Sequence, residues 1–505
     1  MPRADVPDRW RARVAAGLRA ARVAGVTLLA VGVSQAQEPD SWIETAPAAD
    51  GAGQVPPGVV APGTTVGEGF RPLIEITPGR ARAFRAAVQR FAVETPASTA
   101  SPAAVPLAAA PDAEAFRAAL ERAIADSNVV LPLQREAFLG SQATAALADS
   151  RRYDCGDWTQ SGADALVEGR IRTRDGQVFV DFQVWDPARC TRLVEKSYRG
   201  APKDLERVAR RIADRVVLAL TGSRGVAETE IVFISTRTGS SEVTVMNADG
   251  GDPRSTTRGS MLKASPSWLP RGNAILYTAF PASGMPELFV TSRGGVPPGL
   301  LAGLGLAGLP KYSGRYAPAG AAAVGKVEGE LAIVTSVDGA SEIYRSYRGA
   351  PKAKRLTRNP AIEVSPSWSP DGSEIAFVSD RSGGPQIYIM DRDGRNTRRV
   401  TFQGSYSTSP AWSPDGRWIA YETRVEGRID IWLVDPTGEV NVPVVVHARS
   451  DESPTWSPDG RKLAFSSNRR GRADIYVVDL DGQNLRRLTR NEGDNTQPSW
   501  GPFPR

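Results

Sequence analysis

The sequence predicts a multidomain chain, an N-terminal mixed α/β domain followed by an all-β six-bladed β-propeller. Three observations predict it. An eight-residue phrase recurs as Ser365-Pro-Ser-Trp-Ser-Pro-Asp-Gly372, Ser409-Pro-Ala-Trp-Ser-Pro-Asp-Gly416 and Ser453-Pro-Thr-Trp-Ser-Pro-Asp-Gly460, and its tryptophans, with Trp500, fall 44 residues apart. A fixed period of this size marks a stacked repeat array. Apolar runs keep the same beat, starting at Ile231, Ile275, Leu331, Ile375, Ile419 and Leu463, at intervals of 44, 56, 44, 44 and 44 residues. Upstream of residue 222 the pattern changes to alternating amphipathic helices and strands.

The elements follow in chain order. Residues 1–36 read as a secretory signal peptide: Arg9, Arg11, Arg13, Arg19 and Arg22 precede the apolar run Val23–Val33, and Ser34-Gln-Ala36 fits a small-x-small cleavage site. That run is too short to span a bilayer, which needs about 20 residues. Residues 37–69, rich in Ala, Pro and Gly, read as a flexible tail. The α/β domain is expected over 70–222. Asp112 is placed to cap a helix with Phe116, Leu120 and Ile124 on one face. A strand at Asn128–Leu133 and a helical stretch at Arg135–Leu147 follow. Ala165–Arg172 and Val178–Trp185 flank Asp175-Gly176, a strong hairpin signal. A strand near Thr191–Tyr198 comes next. Asp204–Leu220 closes the domain as a helix with Val208, Ile212, Val216 and Leu220 inward, and Thr221–Gly225 reads as the hinge to a propeller over 227–505.

Within one repeat, Ile-Ala-Phe-Val-Ser379 and Gln386-Ile-Tyr-Ile-Met are short strands separated by Gly, Asp and Pro clusters. In Ser-Pro-Asp-Gly, proline presets φ, Asp tolerates the next position and Gly closes the turn. Each unit supplies about four strands, as a propeller blade requires. The last marker is followed by five residues and no strands, whereas Ile231-Val-Phe-Ile-Ser begins the array without a marker. The Gln497–Trp500 strand is therefore expected to complete the blade begun at Glu230, removing exposed sheet edges. An open solenoid would instead need capping repeats. The third repeat is degenerate: Lys311–Gly320 lacks the marker Trp, and twelve extra residues fall there. The apolar insertion Val296–Pro310 is either a partner-binding patch or padding.

Composition limits the function classes. The chain of 505 residues has a formal net charge of +6, but its first 36 residues carry six Arg and two Asp and so account for +4. A nucleic-acid reading loses its support. Export favours a bridge between the two cysteines, Cys155 and Cys190, over two buried thiols. The chain has one histidine, His447, beside an apolar run, where a structural role outweighs a catalytic one. No Gly-x-Ser-x-Gly elbow occurs, so a Ser–His–Asp hydrolase of that type is unsupported. Gly303–Gly308 matches Gly-x-Gly-x-x-Gly but runs into Pro310 instead of a helix, which argues against a pyrophosphate site. Asp371, Asp415 and Asp459 lie on separate blades and cannot converge as a calcium shell must. No catalytic residue, cofactor or metal is expected.

Several segments carry a family resemblance. They are Trp158…Ser161-Gly-Ala-Asp-Ala-Leu-Val-Glu-Gly169, Phe182-Gln-Val-Trp-Asp186, Ile212-Ala-Asp-Arg…Leu218-Ala-Leu-Thr-Gly-Ser-Arg-Gly225, the Ser-Pro-x-Trp-Ser-Pro-Asp-Gly repeats, Ser379-Asp-Arg…Gln386-Ile-Tyr-Ile-Met390 and Tyr406-Ser-Thr-Ser-Pro-Ala-Trp412. Together, over roughly residues 130–505, the chain resembles the TolB family, periplasmic propeller components of the Tol–Pal system. An Ala/Pro-rich stretch, Thr95–Pro111, interrupts the region where the family's first strand and helix belong. The N-terminal tail has no obvious counterpart to the β-prone segment with which family members engage TolA.

The resemblance implies a non-enzymatic periplasmic scaffold, monomeric and without a membrane span, that supports outer-membrane integrity and envelope constriction during cell division. Its implied partner is the lipoprotein Pal, with TolA and other outer-membrane proteins as further candidates. Family members receive Pal at the propeller mouth just ahead of the marker strands. The positions there are Glu363, Val364, Tyr406, Thr408, Asp451, Glu452, Asn495 and Thr496, with Ser313–Tyr316 in the degenerate repeat. The alternatives are a propeller module of a peptidase and a propeller that binds a small ligand or glycan.

Overall fold

The computed structural model describes residues 43–45, 83–94, 112–138, 155–281, 286–293, 299–300, 330–336, 339–346, 353–490 and 493–504. The chain forms two compact units, which meet at the peptide between Glu228 and Thr229. The expected signal peptide, Arg135–Leu147 beyond residue 138, Lys311–Gly320 and most of Val296–Pro310 lie outside the described residues.

The N-terminal unit is a seven-stranded sheet with helices packed on it. Its elements are β1 (Ile43–Thr45), β2 (Phe84–Val88), β3 (Ala92–Glu94), α1 (Ala113–Ala125), β4 (Val130–Pro132), α2 (Cys155–Gln160), β5 (Ala165–Arg174), β6 (Gln177–Asp186), β7 (Thr191–Gly200) and α3 (Leu205–Thr221). The order is β1-β7-β6-β5-β2-β4, with β3 also paired to β5. Asp112 caps α1 as expected: its Oδ1 accepts the Glu114 and Ala115 N–H groups at 2.9 and 3.0 Å, worth about 1 kcal/mol. Phe116, Leu120 and Ile124 of α1 and Val208, Ile212 and Val216 of α3 bury their faces in one core with the β5–β6 valines. Asp175 and Gly176, both at positive φ, turn the β5–β6 hairpin as their sequence requires.

Three strands depart from expectation. β2 and β3 lie where no strand was legible, because short, Ala-containing β2 is buried by parallel pairing to β4 and β5 instead of alternating. The tail is not uniformly loose, since Ile43–Thr45 pairs antiparallel to Ser197–Arg199 at the edge of the sheet. Gly169 sits mid-strand because a Cβ there would come within 2.2 Å of the Phe91 ring and 2.4 Å of the Asp181 carbonyl oxygen. Cys155 and Cys190 are joined by a disulfide with Cα atoms 5.6 Å apart, tying α2 to the β6–β7 turn.

The second unit is a six-bladed propeller. Four blades are formed by consecutive strands in up-and-down order, for example Glu363–Trp368, Glu374–Ser379, Gln386–Asp391 and Arg398–Arg399 in blade four. The second strand of each blade is buried almost throughout, as in Glu374–Ser379 and Lys462–Ser467, because neighbouring blades cover both its faces. Blade three shows three strands among the described residues, Leu331–Thr335, Glu342–Ser346 and Lys354–Arg355.

The ring closes as expected. Asn495–Trp500 pairs with Glu230–Ser235, Asn495 opposite Ser235 and Trp500 opposite Ile231, so the C-terminus supplies the first strand of blade one. Trp500 Nε1 donates to Thr229 Oγ1 at 2.8 Å. The residue before three of the marker tryptophans, Trp368, Trp412 and Trp456, ties one blade to the next. Ser367 Oγ accepts from Trp412 N and Thr455 Oγ1 from Trp500 N, both at 3.1 Å, while Ala411, lacking a hydroxyl, accepts Trp456 Nε1 at 2.8 Å through its carbonyl.

Candidate functional site: the propeller mouth

The first strands of adjacent blades touch one another: Asn495–Trp500 meets Leu262–Trp268 and Asp451–Trp456, and Ser407–Trp412 meets Glu363–Trp368 and Asp451–Trp456. They form the inner ring of the propeller, and the residues at their N-terminal ends rim one mouth. Each described first strand carries a β-bulge. The bulged residue, Ser265, Ser365, Ser409, Ser453 or Gln497, has φ between 51° and 57°. Non-glycine residues rarely adopt this conformation, and its recurrence at one position marks a built feature that turns the strand end toward the mouth.

The structure separates the eight sequence-derived positions into two groups. Glu363 and Asp451 are fully buried, Asn495 and Thr408 nearly so, whereas Val364, Tyr406, Glu452 and Thr496 are half-buried at the rim. Of the eight expected positions, Glu363, Asp451, Asn495 and Thr408 thus have their side chains enclosed within the propeller, and the other four reach the rim. Alternation along the strand points the first residue of Glu363–Val364, Asp451–Glu452 and Asn495–Thr496 inward, and Glu363 and Asp451 serve there as clamps; Thr408, on the rim face, is covered through its bond to Glu422.

The clamp repeats. Glu363 accepts both its oxygens' contacts from Arg381 NH2 at 3.0 Å, with Ser379 Oγ at 2.9 Å and Asn359 Nδ2 at 2.8 Å. Arg381 in turn lies over Tyr388 at 4.9 Å and Phe377 at 5.7 Å. Two blades on, Asp451 accepts from Arg469 NH2 at 2.8 Å, and Arg469 lies over Tyr476 at 4.8 Å and Phe465 at 5.6 Å. Sequence reading missed these arginines as site residues, yet Ser379-Asp-Arg381 and Ser467-Asn-Arg469 stand at equivalent places in their repeats. Blade two inverts the charge: its strand carries buried Lys263, whose Nζ lies 3.2 Å from Glu242 Oε2 and donates to the carbonyls of Ser241, Gly259 and Met261.

Between blades five and six, Glu422 accepts from Thr408 Oγ1 at 2.6 Å and from the bulge amide of Ser453 at 2.7 Å. Tyr406 stands beside it under the Arg424 guanidinium, 4.9 Å from the ring centre. Burial raises the Tyr406 phenol above its ordinary range, and the Glu422 and Glu452 carboxylates add to the shift. The rim there is thus a Tyr–Arg pair beside two carboxylates.

The remaining candidates are structural. His447 Nδ1 accepts the Arg449 amide at 3.1 Å and the His447 amide donates to Asp430 at 3.3 Å. Asp371, Asp415 and Asp459 each accept a hydroxyl within their own turn at 2.6 Å, from Ser369, Ser413 and Ser457. Among the described residues no three His, Cys, Asp or Glu side chains come together as a metal site. No described helix is long and apolar enough to cross a membrane. Gly303–Gly308 and Ser313–Tyr316 lie outside the described residues.

Fold and mouth define a class: an α/β domain joined to a six-bladed propeller whose inner strands repeat one frame under differing rim residues. The family model of the TolB beta propeller domain matches residues 217–504, and that of the TolB amino-terminal domain residues 72–193. The chain belongs to the TolB family. It is similar to the Tol-Pal system protein TolB of Desulfosudis oleivorans, 34% identical over 235 residues covering 45% of this chain and 49% of the relative. It is also similar to the Tol-Pal system protein TolB of Bordetella pertussis, 34% identical over 218 residues, 43% and 47%. The chain spans about half the length of the curated relatives it matches. The crystal structure of TolB from Acinetobacter baumannii superposes with a TM-score of 0.66 at 20% identity, covering 84% of this chain and 98% of that one; at that identity it supports the fold.

Proposed function

We propose that the chain is a non-enzymatic periplasmic scaffold that binds the lipoprotein Pal at the propeller mouth, and so supports outer-membrane integrity and envelope constriction during cell division. TolA stands as the candidate partner of its N-terminal domain. One observation carries the reading: Val364, Tyr406, Glu452 and Thr496 rim the mouth half-buried, chemically different from blade to blade, on a frame that clamps Glu363 and Asp451 with stacked arginines. A rigid frame under variable side chains is how a repeat scaffold carries one specific surface. The buried residues Glu363, Thr408, Asp451 and Asn495 set the shape of that surface and do not touch the partner.

Calorimetric titration of residues 37–505 with the soluble domain of Pal from the same organism tests this. We expect saturable binding by the wild type, weakened about tenfold or more in Tyr406→Ala, since aromatic anchors dominate interface energetics. Glu452→Lys should weaken it through the rim charge, with a dependence on salt. Unchanged affinity in both variants removes this mouth from the interface, and no binding by the wild type removes Pal as the partner.

A further inference from the structure

The segment that leaves the N-terminal unit does not hang free as a hinge. After α3, Gly222 at φ 72° turns the chain back and its amide caps the Leu218 carbonyl; Ser223 N then donates to Thr221 Oγ1 at 3.2 Å. Residues 223–228 run back along α3. The Asp214 carboxylate, about two helical turns before the helix end, accepts the Ala227 amide at 2.7 Å on one oxygen and the Glu228 amide at 2.9 Å on the other. The Glu228 carboxylate is taken by Arg211, at 2.6 Å from NH2 and 2.9 Å from Nε, and by Arg207 Nε at 3.2 Å. Arg211 lies 5.5 Å over the Tyr198 ring. Gly225 packs directly on Asp214, and a Cβ there would stand 2.4 Å from Asp214 Oδ1 and 2.9 Å from its Cα.

We propose that residues 223–228 are a strap buckled to α3 through Asp214 and Glu228, which opens without unfolding the domain and then lengthens the free passage into the propeller. Closed, the strap is held against α3 up to Glu228. Open, its six residues add up to about 20 Å of reach. Several features make it releasable and not simply part of the core. Its specific grip rests on two amides and one carboxylate, its apolar burial is confined to the small side chains of Val226 and Ala227, and the loop tip Arg224 is exposed.

The grip also responds to pH. Burial raises Asp214 to about 7, with the Glu228 carboxylate adding to the rise and the two amides and Arg224 opposing it. The charged groups around the buckle are Glu228 and Arg224 from the strap and Arg207 and Arg211 from α3; β7 contributes the Tyr198 ring under Arg211. An opened strap returns Asp214 to the ordinary carboxylate range, near 3.9, so closing takes up a proton. Acid therefore favours the closed strap, and the open fraction rises by up to about tenfold per pH unit between roughly 4 and 7, then levels off.

Hydrogen exchange of the full mature chain, corrected for the chemical rate at each pH, tests this at the Val226, Ala227 and Glu228 amides. We expect their opening to follow that slope and plateau. Asp214→Asn, neutral at every pH, should abolish the slope while the core amides of α3 keep their protection. Gly225→Ala should hold the strap open at all pH and make the bond after Arg224 sensitive to trypsin. Protection of 226–228 that is lost only with global unfolding, a slope that survives in Asp214→Asn, or wild-type protection in Gly225→Ala would each overturn the proposal.

Discussion

Arg469 illustrates how single residues hold the mouth. Its guanidinium lies over the neighbouring Tyr476 and Phe465 rings, and it carries the only ion pair found for Asp451 among the described residues; Asp451 has no exposure to water. Removing the partner of a buried charge costs far more than the pair contributes, about 3–5 kcal/mol, because the remaining charge is left desolvated. We expect Arg469→Ala to lower stability by about that amount in denaturant unfolding, and Asp451→Asn in the same background to recover part of the loss. A loss under 1 kcal/mol would show that Asp451 gains water or a new donor when Arg469 is absent. The same logic separates Asp451 from its neighbour Glu452: adjacent acidic residues look alike in sequence, but one is a strut and the other a rim group.

At the scale of elements, the sequence was legible wherever local chemistry and burial agree. The Asp112 cap, the Asp175-Gly176 turn and the inward stripe of α3 could be read because each is decided within a few residues. β2 could not, since its burial comes from parallel partners far along the chain, Val130–Pro132 and Ala165–Val167. The strap was read as a hinge for a related reason. Thr221-Gly-Ser-Arg-Gly has loop composition, and nothing in it reveals that Asp214, on the preceding helix, accepts two of the following amides. The disulfide is an element-scale feature as well. With its cysteines 35 positions apart in sequence, it fixes α2 against the β6–β7 turn, and a loop of that length is worth about 2–4 kcal/mol. We expect the Cys155→Ser, Cys190→Ser double variant to melt at a lower temperature by an amount that fits this range. An unchanged melting temperature would mean that the core under α2, where Trp158 meets Phe138 edge-on at 5.0 Å, holds the helix unaided.

The propeller ring depends on one long-range pairing for its closure. Four blades are formed within about 40 residues of sequence each, but blade one joins Glu230–Ser235 to Asn495–Trp500. Until that pairing forms, the edge of Glu230–Ser235 and the inner face of blade six are open, and unpaired edges of this kind invite association. Closure also fixes the mouth, because Thr496 belongs to the closing strand and the Gln497 side chain accepts the bulge amide of Ser265 at 2.8 Å, bridging blades one and two. The rim can thus be complete only in the closed ring. Truncation after Asp494 should therefore do two things at once. The calorimetric transition of the propeller should broaden or disappear, with aggregation rising at micromolar concentration, while α1 and α3 of the N-terminal unit keep their helical signal. A truncated chain that melts as sharply and at the same temperature as the full one would show that blades two to six are stable as an open stack, and that closure serves the mouth alone.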